Sequence, residues 1–93
     1  MAYKPRALAI DLASAGTAQQ ISSSTLIVHR ADFSVPNANT GVMYIGGSDI
    51  DSTHRRTLEK GETFSMFNVD LSTVYFDGAN TSDDLQVVYY LPA

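Results

Sequence analysis

Apolar residues in this chain recur at every second position, in short runs that each end in Gly, Asn, Asp or Ser. Leu8, Ile10 and Leu12 alternate with Ala7, Ala9 and Asp11, and Leu85, Val87, Tyr89 and Leu91 alternate with Gln86, Val88 and Tyr90. A period of two places alternate side chains on opposite faces of a strand, so one face of each run enters a core. Phe64 and Met66 in "ETFSMFNV" follow the same rule until Phe67 breaks it. "GVMYIGG" and "TVYFDG" are further short strands, the first apolar on both faces.

The run "STLIVHRADFSV" changes parity: Leu26 and Val28 are even, Phe33 and Val35 odd. A bulge or bend at His29-Arg30, as in a strand that passes between two sheets, accounts for the change. Between the runs lie "SAGT", "PNANTG", "GGSD", "EKGE" and "DGANTSDD", turn chemistry spaced as in an all-β sandwich or barrel. "ASAGTAQQISSS" contains Gly16 and three consecutive serines, which disfavour a long helix. One short turn is expected at Asp70-Leu71-Ser72, where Asp70 can cap the N–H groups that follow. The expectation is an all-β fold of about six to eight strands, either a small antiparallel β-sandwich (jelly-roll-like) or a β-barrel. An immunoglobulin-like order is the second choice. The 93 residues suffice for one domain, 1–93.

The charge balance narrows the function classes. Six Lys and Arg against ten Asp and Glu give a net charge of −4, which removes the basic footprint of a nucleic-acid binder. There are no cysteines, hence no disulfide and no thiolate zinc site. "ALAIDLASA" is too short and too polar for a signal core or a membrane span, so synthesis and folding in a cytoplasm are expected, with no membrane partner.

Chemistry concentrates between Asp49 and Lys60. Asp49, Asp51 and His54 offer two carboxylates and an imidazole, but the rest of a calcium loop is missing and Arg55 and Arg56 oppose a cation. A solvated turn without metal or cofactor is expected there. His29, inside an apolar run, reads as a core or interface histidine. No serine sits in a nucleophile elbow, and Gly46-Gly47 opens no helix, so nothing points to an enzyme. His54, Arg55, Arg56 and Lys60 form the candidate binding set. They either keep an edge strand from aggregating or pair with an acidic partner through guanidinium forks. The alternative contact is the segment Met1–Arg6. Tyr3, Tyr44, Tyr75, Tyr89 and Tyr90 are candidate platforms of a different class, a carbohydrate-binding module.

"NTGVMYIGGSDIDS", "TLEKGETFSM", "VDLSTVYFDGAN" and "LQVVYYL", in this order, resemble a family of small virion proteins of tailed bacteriophages. The shared pattern is an Asn39-Thr40-Gly41 turn, a strand ending in Tyr44-Ile45-Gly46, and a Ser48-Asp49 pair. A Leu58-x-x-Gly61-Glu62 turn follows, then Asp70-Leu71-Ser72 before an aromatic strand with Tyr75 and Gly78. The stretch covered is about 39–91. Such proteins often carry a short glycine turn where this chain has "DIDSTHRRT". The resemblance implies a β-sandwich or barrel on the virion, most often a capsid decoration (cement) protein, bound to the major capsid protein as a homotrimer. A tail, neck or fibre-attachment component is the alternative within that class.

Overall fold

A computed structural model describes residues 3–92; Met1, Ala2 and Ala93 lie outside it, and with them the start of the Met1–Arg6 alternative contact. Eight strands form: β1 (Lys4–Asp11), β2 (Gln19–Gln20), β3 (Ile27–Ser34), β4 (Met43–Gly46), β5 (Arg56–Leu58), β6 (Thr63–Asp70), β7 (Tyr75–Gly78) and β8 (Asp84–Leu91). They make two four-stranded antiparallel sheets, ordered β1-β8-β3-β6 and β2-β7-β4-β5. β1 pairs with β8, β2 with β7, β3 with β6 and β4 with β5. This is one long hairpin, closed at β4–β5 and rolled so that its halves fall into two sheets. It is the jelly-roll order, and the fold is a small β-sandwich.

The core lies between the sheets. Val28, Ala31, Phe33, Leu85 and Val87 enter it from the first sheet, and Met43, Ile45, Leu58 and Phe76 from the second. Each fully buried Phe or Leu stabilises the fold by ~1.5–3 kcal/mol relative to an exposed one. Leu12 and Leu71, also fully buried, close the core where strands end. Gly78 of β7 is tightly enclosed: a Cβ there would lie 2.8 Å from Met43 Sδ and 3.0 Å from Leu12 Cδ2, so the buried Met43 would have to shift.

The parity change in β3 falls at His29-Arg30: Val28 is buried, then Ala31, Phe33 and Val35. The strand does not cross between sheets. Its partner β6 changes face at the same level, where Asn68 adopts φ +50° and Phe67 is 59% exposed. Val28 still faces Val69, and Arg30 faces Phe67. Because both strands turn together, neither needs the extra residue of a bulge.

The expected short turn is a 3-10 turn over Leu71–Thr73, with Asp70 Oδ1 accepting the Ser72 N–H at 3.0 Å. The same oxygen accepts the Leu26 N–H at 3.0 Å, tying the approach to β3 to the end of β6.

Candidate functional site

The charged stretch divides in two. Residues 47–55 form the loop from β4, whereas Arg56 and Leu58 belong to β5, an edge strand paired only with β4. Thr53–Lys60 is thus part loop, part strand and part turn. Within the loop, Asp51 Oδ1 accepts from Thr53 N at 2.8 Å, Thr53 Oγ1 at 2.9 Å and His54 N at 3.0 Å, and lies 2.9 Å from His54 Nδ1. The Thr53 N–H, then the His54 ring, hold the Asp51 carboxyl well below the usual carboxylate range. In return Asp51 raises the pKa of His54, helped by the charge of Asp49. These contacts give Asp51 and His54 a turn-forming role, an Asx-type cap that replaces the missing glycine.

The basic candidates point in different directions. The Arg55 guanidinium carbon lies 3.5 Å from the ring centroid of Tyr44, whose side chain is on the outer face of the second sheet. Arg56 lies 4.9 Å from the ring centroid of Phe64 in β6, across the open side between the two sheets. Lys60 sits in the Glu59–Glu62 turn that joins β5 to β6, near enough to Asp83 to favour its charge. His54 and Arg55 are neighbours at one end of β5, and Lys60 is at the other. Neither the Arg55 nor the Arg56 guanidinium has a hydrogen-bond partner among the described residues. A guanidinium stacked on a ring keeps its N–H edge available for a carboxylate and loses less freedom in forming the pair. Chemically the edge can bind an anionic group.

The tyrosine platforms are also dispersed. Tyr89 packs against the core and Tyr44 lies under Arg55. Tyr75 faces outward on β7 beside Gly46. Tyr3 and Tyr90 share the far face of the molecule, with His29 and Arg30. His29 is half-buried on that outer face rather than in the core.

Two buried polar side chains, Asn39 of the Asn-Thr-Gly turn and Asp83, join segments far apart in the sequence. Asn39, 5% exposed, clasps the backbone of Asp84: its Nδ2 donates to Asp84 O at 2.8 Å and its Oδ1 accepts the Asp84 N–H at 3.0 Å. Asp83, 6% exposed, accepts the Thr40 N–H at 2.9 Å, the Gly41 N–H at 3.0 Å and the Thr40 hydroxyl at 3.1 Å. Burial raises the Asp83 pKa, but these donors outweigh it and leave the group below its ordinary value. The available signal was the Asn-Thr-Gly turn and the Asp83-Asp84 pair, 44 positions apart at Asn39 and Asp83 and so invisible to local reading.

No protein-family pattern and no curated protein matches this chain. A solved structure described under Bacillus endospore appendages, a family of disulfide-linked pili, has a TM-score of 0.49 at 17% identity, over 97% of this chain and 89% of that one. A likeness of that degree does not bear on function. No helix among the described residues is long and apolar enough to cross a membrane.

Proposed function

We propose that this chain is a bacteriophage virion structural protein, a decoration protein that binds the outer capsid surface as a homotrimer and acts by binding rather than catalysis. The observation that carries the reading is where the residues of the virion-protein pattern fall in the fold. Most are joints. Asn39 clasps Asp84, Thr40 and Gly41 hold Asp83, and Asp70 caps two chain segments. Glu62 Oε1 accepts the Glu59 N–H at 2.7 Å, and Gly61 turns the chain at φ +84°. The aromatic positions left over, Tyr44 and Tyr75, both face outward on the second sheet, and Arg55 stacks on the first of them.

The proposed contact is therefore the β5 edge of the second sheet, anchored by Arg55 on its outer face and by Arg56 at the opening between the sheets. Bound only to assembled capsid, the chain stabilises it by mass action. A trimer meeting three equivalent sites gains further through effective concentration, so weak individual pairs suffice. The test is co-sedimentation of the purified chain with undecorated capsids, and electron microscopy of virions to locate it. Saturable binding, weakened by salt and by the double substitution Arg55→Ala and Arg56→Ala, is the expected result. Absence of the chain from purified virions, or its location in the tail, refutes the reading.

A further inference from the structure

The outer face of the first sheet carries a second cluster that the capsid contact leaves unused. Pro5, Tyr90, Arg30 and Phe67 lie in register across β1, β8, β3 and β6. Tyr3, just before β1, reaches over β8 and stacks on His29 of β3, with ring centroids 4.2 Å apart and planes within 4°. Tyr3, His29, Arg30 and Tyr90 line an open recess of about 280 Å³.

Arg30 is held in place from two sides. Its Nε–H donates to Asp32 Oδ1 at 2.8 Å, and that oxygen also accepts the Ser65 hydroxyl at 2.6 Å. Its guanidinium carbon lies 5.3 Å from the ring centroid of Phe67. Among the described residues, neither terminal nitrogen of Arg30 has a hydrogen-bond partner; nor do the His29 ring or the Tyr90 hydroxyl. A guanidinium anchored through Nε and left open at its two terminal nitrogens matches the two oxygens of a carboxylate. Lys4 and Arg6 pair with Leu91 and Tyr89 on the opposite side of β1, so Arg30 supplies the positive charge of this recess.

We propose that this recess binds a single acidic sugar residue of a glycan. The carboxylate sits on the terminal nitrogens of Arg30, and the C–H faces of the ring lie against Tyr3 and Tyr90. The recess is open and lined by four side chains, a span for one ring rather than an oligomer. Its walls are the rings and hydroxyls of Tyr3 and Tyr90, the His29 imidazole and the Arg30 guanidinium, a mixture of flat apolar surface, donors and acceptors that sugar hydroxyls require. A bare phosphate would meet aromatic carbon on most sides. The site faces away from the Arg55 edge, so it stands or falls apart from the capsid reading.

The test is a titration of the isotope-labelled chain by NMR with glucuronate, glucose, acetate and a short peptide ending in a free carboxylate. Glucuronate is expected to give saturable, weak binding, with shifts centred on the amides of residues 3, 29, 30 and 90. Glucose and acetate should each bind at least about tenfold more weakly, since each lacks one half of the recognition. Arg30→Gln should cost at least about tenfold in glucuronate affinity. Tyr3→Ala, which removes the ring but leaves strand pairing intact, should weaken glucose and glucuronate alike. Shifts that fail to saturate or that centre elsewhere overturn the proposal. So does equal affinity for glucose or acetate, and tighter binding of the peptide would assign the recess to a protein ligand instead. If Arg30→Gln does not fold, the ligand series on the unaltered chain and the Tyr3→Ala result still decide.

Discussion

Replacing Asp83 with asparagine exchanges one oxygen for an NH2 group and should remove much of what joins the β7–β8 loop to the turn before β4. The carboxylate uses one oxygen for the Thr40 N–H at 2.9 Å and the other for the Gly41 N–H at 3.0 Å, and the Thr40 hydroxyl lies within 3.2 Å of both. An amide has one oxygen. Whichever way it turns, one backbone N–H faces an NH2 group and loses its acceptor. A hydrogen bond to a charged group contributes ~1.5–3 kcal/mol, and the surviving bond weakens as its acceptor becomes neutral. Two effects reduce the loss. Thr40 is exposed, so a stranded N–H there can reach water, and a buried amide costs less to desolvate than a carboxylate. The net expectation is ~1–3 kcal/mol, or roughly 5–20 °C in Tm for a domain of this size.

The pH dependence gives a second check on the same argument. The Asp83 pKa lies lower in the folded chain than its ordinary 3.8. Its stabilisation is therefore fully present above that value and is lost as pH falls through the folded pKa. The Tm gap between the original chain and Asp83→Asn should be widest near neutrality and should narrow below about pH 4. Calorimetric melts from neutral pH down to the acid limit of solubility measure it. A neutral-pH gap within experimental error, or one that persists unchanged in acid, refutes the claim that the ionised carboxylate fastens the two loops.

Three further outcomes follow from other contacts. Gly78→Ala drives a methyl into Met43 and Leu12 and should destabilise the fold by ~1–3 kcal/mol, read as a lower urea midpoint with unchanged slope. Asp11 and Asp84 face each other at the end of the β1–β8 pair, and the Asp84 pKa is raised by burial and then by Asp11, so the pair costs stability wherever Asp84 is ionised. Asp11→Asn should raise Tm at neutral pH by the equivalent of ~0.2–1 kcal/mol, and the gain should vanish as acid protonates Asp84; a loss of Tm at neutral pH would contradict this. The double substitution Arg55→Ala and Arg56→Ala should cost no more than the two ring contacts, ~0.5–1 kcal/mol each, since both side chains are exposed and make no salt bridge among the described residues, and circular dichroism melts check this directly.

What could be read locally was read from the alternation of side chains. Leu85 and Val87 fill the core, Val88 and Tyr90 face out, and the parity change at His29-Arg30 falls where the chain changes face. β2 was not legible, because Gln19-Gln20 is a two-residue polar bridge held by its pairing with Phe76 and Tyr75, and nothing local marks it. β5 was hidden in the charged stretch for the same reason: Leu58 is its one buried residue. The cause of the parity change was not legible either, since a bend in β3 that keeps its register requires β6 to bend with it. The recess of Tyr3, His29, Arg30 and Tyr90 draws on three strands or strand ends and has no sequence neighbourhood beyond His29-Arg30.

A turn residue such as Asn39 or Asp70 recurs among chains that share a frame, because an unpaired buried backbone group at that joint costs ~1–3 kcal/mol wherever the frame occurs. Such residues argue for architecture, and a jelly roll serves many unrelated tasks. Function lies in what the frame leaves outside. Here that is Tyr44 with Arg55 on one face, and Tyr3, His29 and Arg30 on the other. Only the first pair includes a position of the pattern, so only the second sheet's face inherits support from the resemblance. The recess on the opposite face depends on the charge and ring geometry of this chain alone. A decoration protein that holds a capsid through one sheet would present the other sheet to solvent, and a small acidic ligand from outside would meet Arg30 there first.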